Sequence, residues 1–111
     1  MVILDTGPIL DRVKQSKDIP ENLTIVTVIE WPRILEYSRF SGNVLYPQTQ
    51  DFQVAFEIQR NLISIGKMKG FADLVIAAIC IRKDELLITK DSDFTDIASS
   101  SSLKVELLDR I

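Results

Sequence analysis

The 111-residue chain contains no histidine. That absence excludes Ser-His-Asp and Cys-His hydrolysis, histidine general-base work and most zinc sites. Acid–base or metal chemistry must fall to carboxylates. There is one cysteine, Cys80, inside an apolar run, so neither an internal disulfide nor a zinc site can form on it alone. With no histidine to activate it, it is expected to be a buried, inert thiol. A basic surplus is also missing, since 13 Lys and Arg stand against 16 Asp and Glu, a net charge of −3. A protein that holds nucleic acid by electrostatics alone carries the opposite balance. Any polyanion must therefore be met by bound metal or by a small local Lys/Arg patch. No stretch approaches the roughly 18 apolar residues that span a bilayer. The start Met1-Val2-Ile3-Leu4-Asp5 has no basic leader region. These absences lead to the expectation of a soluble, cytoplasmic protein without a leader or a membrane anchor.

What is present fits one globular domain over 1–111, with 46% hydrophobic and 26% charged residues. Val2-Ile3-Leu4 reads as a central parallel strand, buried on both faces. Thr6 is placed to cap a short helix over 8–13, with Pro8 in its first turn. A polar loop follows to Asn22, and Leu23 to Val26 reads as a second strand. Apolar spacing near 3.6 predicts a helix from Thr27 through Tyr37, with Pro32 in its first turn. Val44 to Tyr46 is a third strand. Thr49 is expected to cap a helix over 50–65, closed by Gly66. Phe71 to Arg82 predicts a helix apolar nearly all round, hence deeply buried or shared with a partner. Leu86–Thr89 and Val105–Leu108 complete the strands, separated by a helical turn over 93–97 and a serine run, Ser99–Ser102, read as a flexible loop. Strands alternating with helices predict a parallel sheet covered on both faces.

In such sheets the active crevice lies beyond the C-terminal strand ends. Asp5 follows the first strand directly. Glu30 lies in the first turn after the second, Asp73 in the first turn of the apolar helix, and Asp91 two residues past the fourth strand, with Asp93 beside it. Each alone reads as an ordinary first-turn or surface acid. Four acids converging from four segments would repel one another unless a divalent cation intervened. Hard oxygen ligands favour Mg²⁺ or Mn²⁺. Glu36 competes with Glu30 for one position, but six residues further along a helix it points elsewhere. No P-loop or glycine-rich dinucleotide fingerprint is present. Gly7 stands two residues past Asp5, where a haloacid-dehalogenase pattern needs a second acid, and the acid pair of a receiver domain is missing too.

Four segments carry a family resemblance: Ile3-Leu4-Asp5-Thr6, Val26-Thr27-Val28-Ile29-Glu30, Phe71-Ala72-Asp73-Leu74-Val75-Ile76-Ala77-Ala78, and Leu87-Ile88-Thr89-Lys90-Asp91-Ser92-Asp93-Phe94. In order and spacing they resemble the motifs of PIN-domain nucleases, across essentially the whole chain. The resemblance implies a three-layer α/β/α sandwich around a five-stranded parallel sheet of order 3-2-1-4-5. It also implies Mg²⁺- or Mn²⁺-dependent hydrolysis of RNA phosphodiesters. Asp5, Glu30, Asp73 and Asp91 match the family's acidic positions, Asp93 a following acid that helps in some members, and Thr6 and Thr89 supporting hydroxyls. Among compact members the chain is most similar to the VapC toxins of toxin–antitoxin pairs, which commonly dimerise and are silenced by an antitoxin reaching into the site. The segment between the first two strands is trimmed relative to that pattern, which would reduce the antitoxin-binding surface.

The expected chemistry places a first metal on Asp5, Asp73 and Asp91, with Glu30 on a second metal or its water. Lys90, Arg33, Lys67 and Lys69 are candidate RNA backbone contacts. The apolar helix together with Trp31, Phe52 and Phe56 suggests a homodimer. The alternative is a non-catalytic module of the same fold, whose acids bind a partner's arginines instead of metal.

Overall fold

A computed structural model of the chain describes residues 1–109. The element order is β1 (Val2–Leu4), α1 (Thr6–Lys14), β2 (Leu23–Thr24), α2 (Ile25–Glu30), a 3-10 turn (Pro32–Glu36), β3 (Val44–Leu45), α3 (Thr49–Ser64), α4 (Phe71–Lys83), β4 (Leu86–Thr89), α5 (Asp93–Ser99) and β5 (Val105–Leu107). No helix among the described residues is long and apolar enough to cross a membrane. The five expected strands are present, and the expected helices are present apart from one. The single helix expected from Thr27 to Tyr37 is broken in two. Proline cannot donate an N–H, and its ring disfavours helical geometry in the residue before it. Trp31 accordingly leaves the helical region (φ −142, ψ 80), and Pro32 opens a separate 3-10 turn. Because α2 already begins at Ile25, β2 is two residues long instead of four. The α3 N-cap is Gln48 and not Thr49. Gly66 adopts φ +73 just past α3, where an L side chain would be strained. The serine run is a hydrogen-bonded turn, with the Ser101 hydroxyl donating to Ile97 O at 2.7 Å.

The continuous five-stranded sheet of order 3-2-1-4-5 is not formed. A three-stranded parallel sheet runs β1-β4-β5, and β2 pairs with β3 in a separate two-stranded one. Among the described residues they are bridged only at an isolated parallel pair, Ile3 with Asn22. Leu4 N–H donates to Asn22 O and Asn22 N–H to Val2 O. The early start of α2 turns the chain out of the extended conformation after Thr24, so β2 cannot continue alongside β1. Gly42 marks where the β3 approach passes close to this segment. A Cβ there would lie 1.9 Å from Glu21 O.

Strand alternation sorts the apolar residues into two cores. Ile3 and Leu87 pair across β1 and β4 and face a core built with α3, α4 and α5: Ala55, Ile58, Leu62, Leu74–Cys80, Phe94 and Ile97. Leu4, with Ile88 packed beside it, faces the opposite core of Ile9, Ile19, Leu23, Val28 and Ile34. The sheet is therefore covered on both faces, as three α/β/α layers. Helix α4 is buried from Leu74 to Cys80 within its own chain, so its apolar girth serves the core. Burial pushes the Cys80 thiol well above its ordinary range, as an inert thiol requires.

One buried charge holds α3 to α4. Asp51 is 1% exposed. It accepts the Gln48 N–H at 2.7 Å and the Arg82 Nε–H at 2.9 Å, while Arg82 also donates to Tyr46 O at 3.1 Å. Removing the carboxylate would strand Arg82 and uncap α3. We expect Asp51→Ala to cost about 3 kcal/mol in urea unfolding. Asp18→Ala, at an exposed ion pair with Arg39, should change stability by less than about 0.5 kcal/mol.

Candidate metal centre

The site grows from the C-terminal end of the β1–β4 ladder. Asp5 N–H donates to Ile88 O at 2.9 Å, which carries the ladder one residue beyond β1. Asp5 stands at the N-cap position of α1, yet its side chain makes no capping bond. Its Oδ2 accepts instead from the Thr89 hydroxyl at 2.8 Å. Thr89 is fully buried. Its Oγ1 also accepts the Asp91 N–H at 3.0 Å. One hydroxyl therefore ties together two acids 86 residues apart in sequence. Asp91 Oδ1 in turn accepts the Asp93 N–H at 2.9 Å, in the turn that starts α5.

Helix α4 presents Asp73 from its first turn. Carboxylate oxygens of Asp73, Asp91 and Asp93 lie within 4.8 Å of one another. Like charges at that spacing, partly buried, show in the acidity of the group. Burial first, then the charges of Asp91, Asp5, Asp93 and Glu30, push the Asp73 carboxyl up to about 6. Burial also raises Asp5, and the Thr89 hydrogen bond offsets part of that rise. Glu30 is exposed at the end of α2. Thr6 holds it by donating its hydroxyl to Glu30 Oε1 at 2.9 Å. The buried Thr27 hydroxyl lies 3.3 Å from Thr6 Oγ1 and can supply the second hydrogen bond there. The donor set is all oxygen, compact and partly desolvated. It fits a hard divalent cation and offers nothing to a soft one.

The sequence-selected acids therefore lie near one another, with a division of place. Asp73, Asp91 and Asp93 form the compact oxygen group. Asp5 adjoins it through Thr89, and Glu30 stands at its rim with Thr6. The basic candidates are all engaged or apart. Lys67 pairs with Asp96 at 3.2 Å. Lys69 bridges Asp93 at 3.3 Å and Asp96 at 2.8 Å. Lys90 pairs with Asp11. Arg33 is exposed in a hollow with Val13, Trp31, Glu36 and Tyr37. Sequence reasoning passed over Asp96 and Thr27. Asp96 was legible as the residue three past Asp93, on the same helical face. Thr27 carried no signal until α1 and α2 were packed together.

No protein-family model matches the sequence, and no curated protein does. Solved structures do match the fold. A chain of VapBC-1 from nontypeable Haemophilus influenzae superposes with a TM-score of 0.73 at 20% identity, covering 96% of this chain and 98% of that one. A chain of DNA-bound VapBC from Salmonella typhimurium gives 0.73 at 19% identity, covering 95% and 96%. A chain of VapBC-5 from Mycobacterium tuberculosis, described as a member of the VapBC family of toxin–antitoxin systems, gives 0.73 at 18%, covering 96% and 97%. At these identities the likeness establishes a shared fold.

A carboxyl whose folded pKa is raised binds its proton more tightly in the folded state than in the unfolded one. It favours folding below its ordinary range, and that contribution is lost as pH rises through about 6 for Asp73. Asp5 acts in the same direction. The metal-free protein should melt lower at pH 7.5 than at pH 5, by roughly 4 °C. Asp73→Asn should remove most of that slope in thermal scans across this pH range.

Proposed function

We propose that this chain is a metal-dependent endoribonuclease of the VapC type, the toxin of a toxin–antitoxin pair. The observation that carries the reading is the convergence of the Asp73, Asp91 and Asp93 oxygens within 4.8 Å, on a fold shared with toxin–antitoxin structures. Asp73, Asp91 and Asp93 would hold a Mg²⁺ or Mn²⁺ ion, with Asp5 beside them. When bound, such an ion supplies a more acidic water and positive charge against a phosphodiester. The remaining work falls to the chain. Thr89 fixes Asp5 and Asp91 relative to each other, so the pocket is set before substrate arrives. Glu30, held by Thr6, would take the proton of the attacking water. Water adds to phosphorus and the 3′ oxygen leaves, giving a 5′-phosphate and a 3′-hydroxyl. Arg33 is the proposed contact to the RNA backbone, because Lys67, Lys69 and Lys90 are each ion-paired.

The structures that match are toxin–antitoxin complexes, which supports an antitoxin as protein partner. An apolar face fits such association. Phe52 and Phe71 stack with ring centroids 6.3 Å apart, Phe56 adjoins them, and Ile29 lies beside Glu30 on the same hollowed surface. Phe71 and Ile29 are 71% and 72% exposed. The expected homodimer would use this face too, because α4 and Trp31 are taken up by the cores.

The test is cleavage of short single-stranded RNA. Cutting should require Mg²⁺ or Mn²⁺, stop in EDTA, and fall at least about a hundredfold in Asp73→Asn and Asp91→Asn. Thr89→Val should lose about tenfold, one hydrogen-bonded positioning contact. Undiminished cutting in EDTA would discard the metal mechanism. A folded protein with no Asp73-dependent Mn²⁺ binding would leave the protein-binding alternative.

A further inference from the structure

Lys69 is held in a way that a solvent-facing lysine is not. It lies in the turn between α3 and α4, and its side chain is only 10% exposed. Gln59 of α3 grips its backbone on both sides. The Gln59 Nε2–H donates to Lys69 O at 2.6 Å, and Lys69 N–H donates to Gln59 Oε1 at 3.0 Å. The ammonium then reaches α5, at 2.8 Å from Asp96 Oδ2 and 3.3 Å from Asp93 Oδ1. Asp96 is itself shared with Lys67. So a lysine whose backbone is fixed by one helix is pressed against an acid of the candidate metal centre. A long flexible side chain loses considerable rotamer freedom in such an arrangement, and exposed ion pairs alone rarely offset that loss.

We propose that Lys69 is a resident counter-cation of the carboxylate pocket, which holds Asp93 in place and limits how strongly the pocket draws a divalent ion. The inference rests on the metal-centre reading above and deepens it. A carboxylate has two oxygens, so Asp93 can face the ammonium with one and an ion with the other. The ammonium adds a positive charge beside Asp93 of the Asp73–Asp91–Asp93 group. It lowers the mutual repulsion of the acids when no ion is bound, and it repels an incoming ion. Lys69 is thus a positioning residue that acts through Asp93, and the engaged ammonium is not the free RNA contact that the sequence suggested.

Calorimetric titration of the full chain with Mn²⁺ tests this, with thermal scans in EDTA alongside. Lys69→Gln removes one positive charge next to the pocket and should bind Mn²⁺ about tenfold more tightly. Its metal-free form should melt lower than the wild type. Lys69→Arg, which keeps the charge, should match the wild type in both. A purely structural lysine would give a lower melting temperature with unchanged Mn²⁺ affinity, and that result, or a weaker affinity, overturns the proposal. Should the wild type itself show no Mn²⁺ binding that Asp73→Asn abolishes, the metal-centre reading fails and this inference fails with it. Binding in the wild type with no gain in Lys69→Gln sinks only the role of Lys69.

Discussion

The parallel register of β1 against β4 is the constraint from which the candidate site follows. Val2, Ile3 and Leu4 align with Leu86, Leu87 and Ile88. The next backbone bond, from Asp5 N–H to Ile88 O, sets Asp5 beside Thr89. A slip of β1 by one residue would turn Ile3 out of the core it shares with Leu87 and carry Leu4 to the opposite face. It would also part Asp5 from the Thr89 hydroxyl. The apolar alternation that fixes the cores therefore fixes the acid geometry too. Neither can shift alone.

Gathering acids in this way is costly, and the structure shows how the cost is contained. Four of the carboxylates accept hydrogen bonds that hold them in place: from Thr89 to Asp5, from the Asp93 N–H to Asp91, from Thr6 to Glu30, and from Lys69 to Asp93. Asp73 is the acid whose raised pKa records its burial first and then the remaining repulsion. It is mounted on the most deeply packed helix of the chain. Leu74 to Cys80 follow it directly into the core, so the residue under greatest electrostatic strain has the most rigid support.

The aromatic face lies at the other end of this logic. Phe71 begins the same helix and is exposed, stacked on Phe52 from α3. Apolar side chains of that size left in water next to the rim residue Glu30 mark a surface suited to association with protein. Helix α4 thus contributes three things in sequence order: an exposed ring, a pocket acid and a buried core segment.

Much of this was legible in the residues. The apolar run Val2-Ile3-Leu4 and the all-round apolar stretch after Asp73 state their burial directly, because burial follows composition and period. Asp5, Asp73, Asp91 and Asp93 could be selected because each stands at a strand or helix boundary, and such boundaries in a parallel α/β chain point to one edge of the sheet. Other features depend on contacts between distant segments, and no local pattern encodes those. Apolar spacing ran one helix from Thr27 through Tyr37 across Pro32, whereas the proline ends α2 at Trp31 and opens a 3-10 turn. The pairing of β2 with β3, bridged to β1 at Ile3 and Asn22, depended on how early the chain turned helical. The capture of Lys69 by Gln59, Asp93 and Asp96 needed α3, the following turn and α5 in place together. By itself the sequence determined which stretches are apolar and which acids are available, since transfer from water is a property of each side chain. Only the tertiary structure decided which oxygens and ammonium groups come within a few ångströms of one another, because electrostatic interaction depends on distance and not on order along the chain.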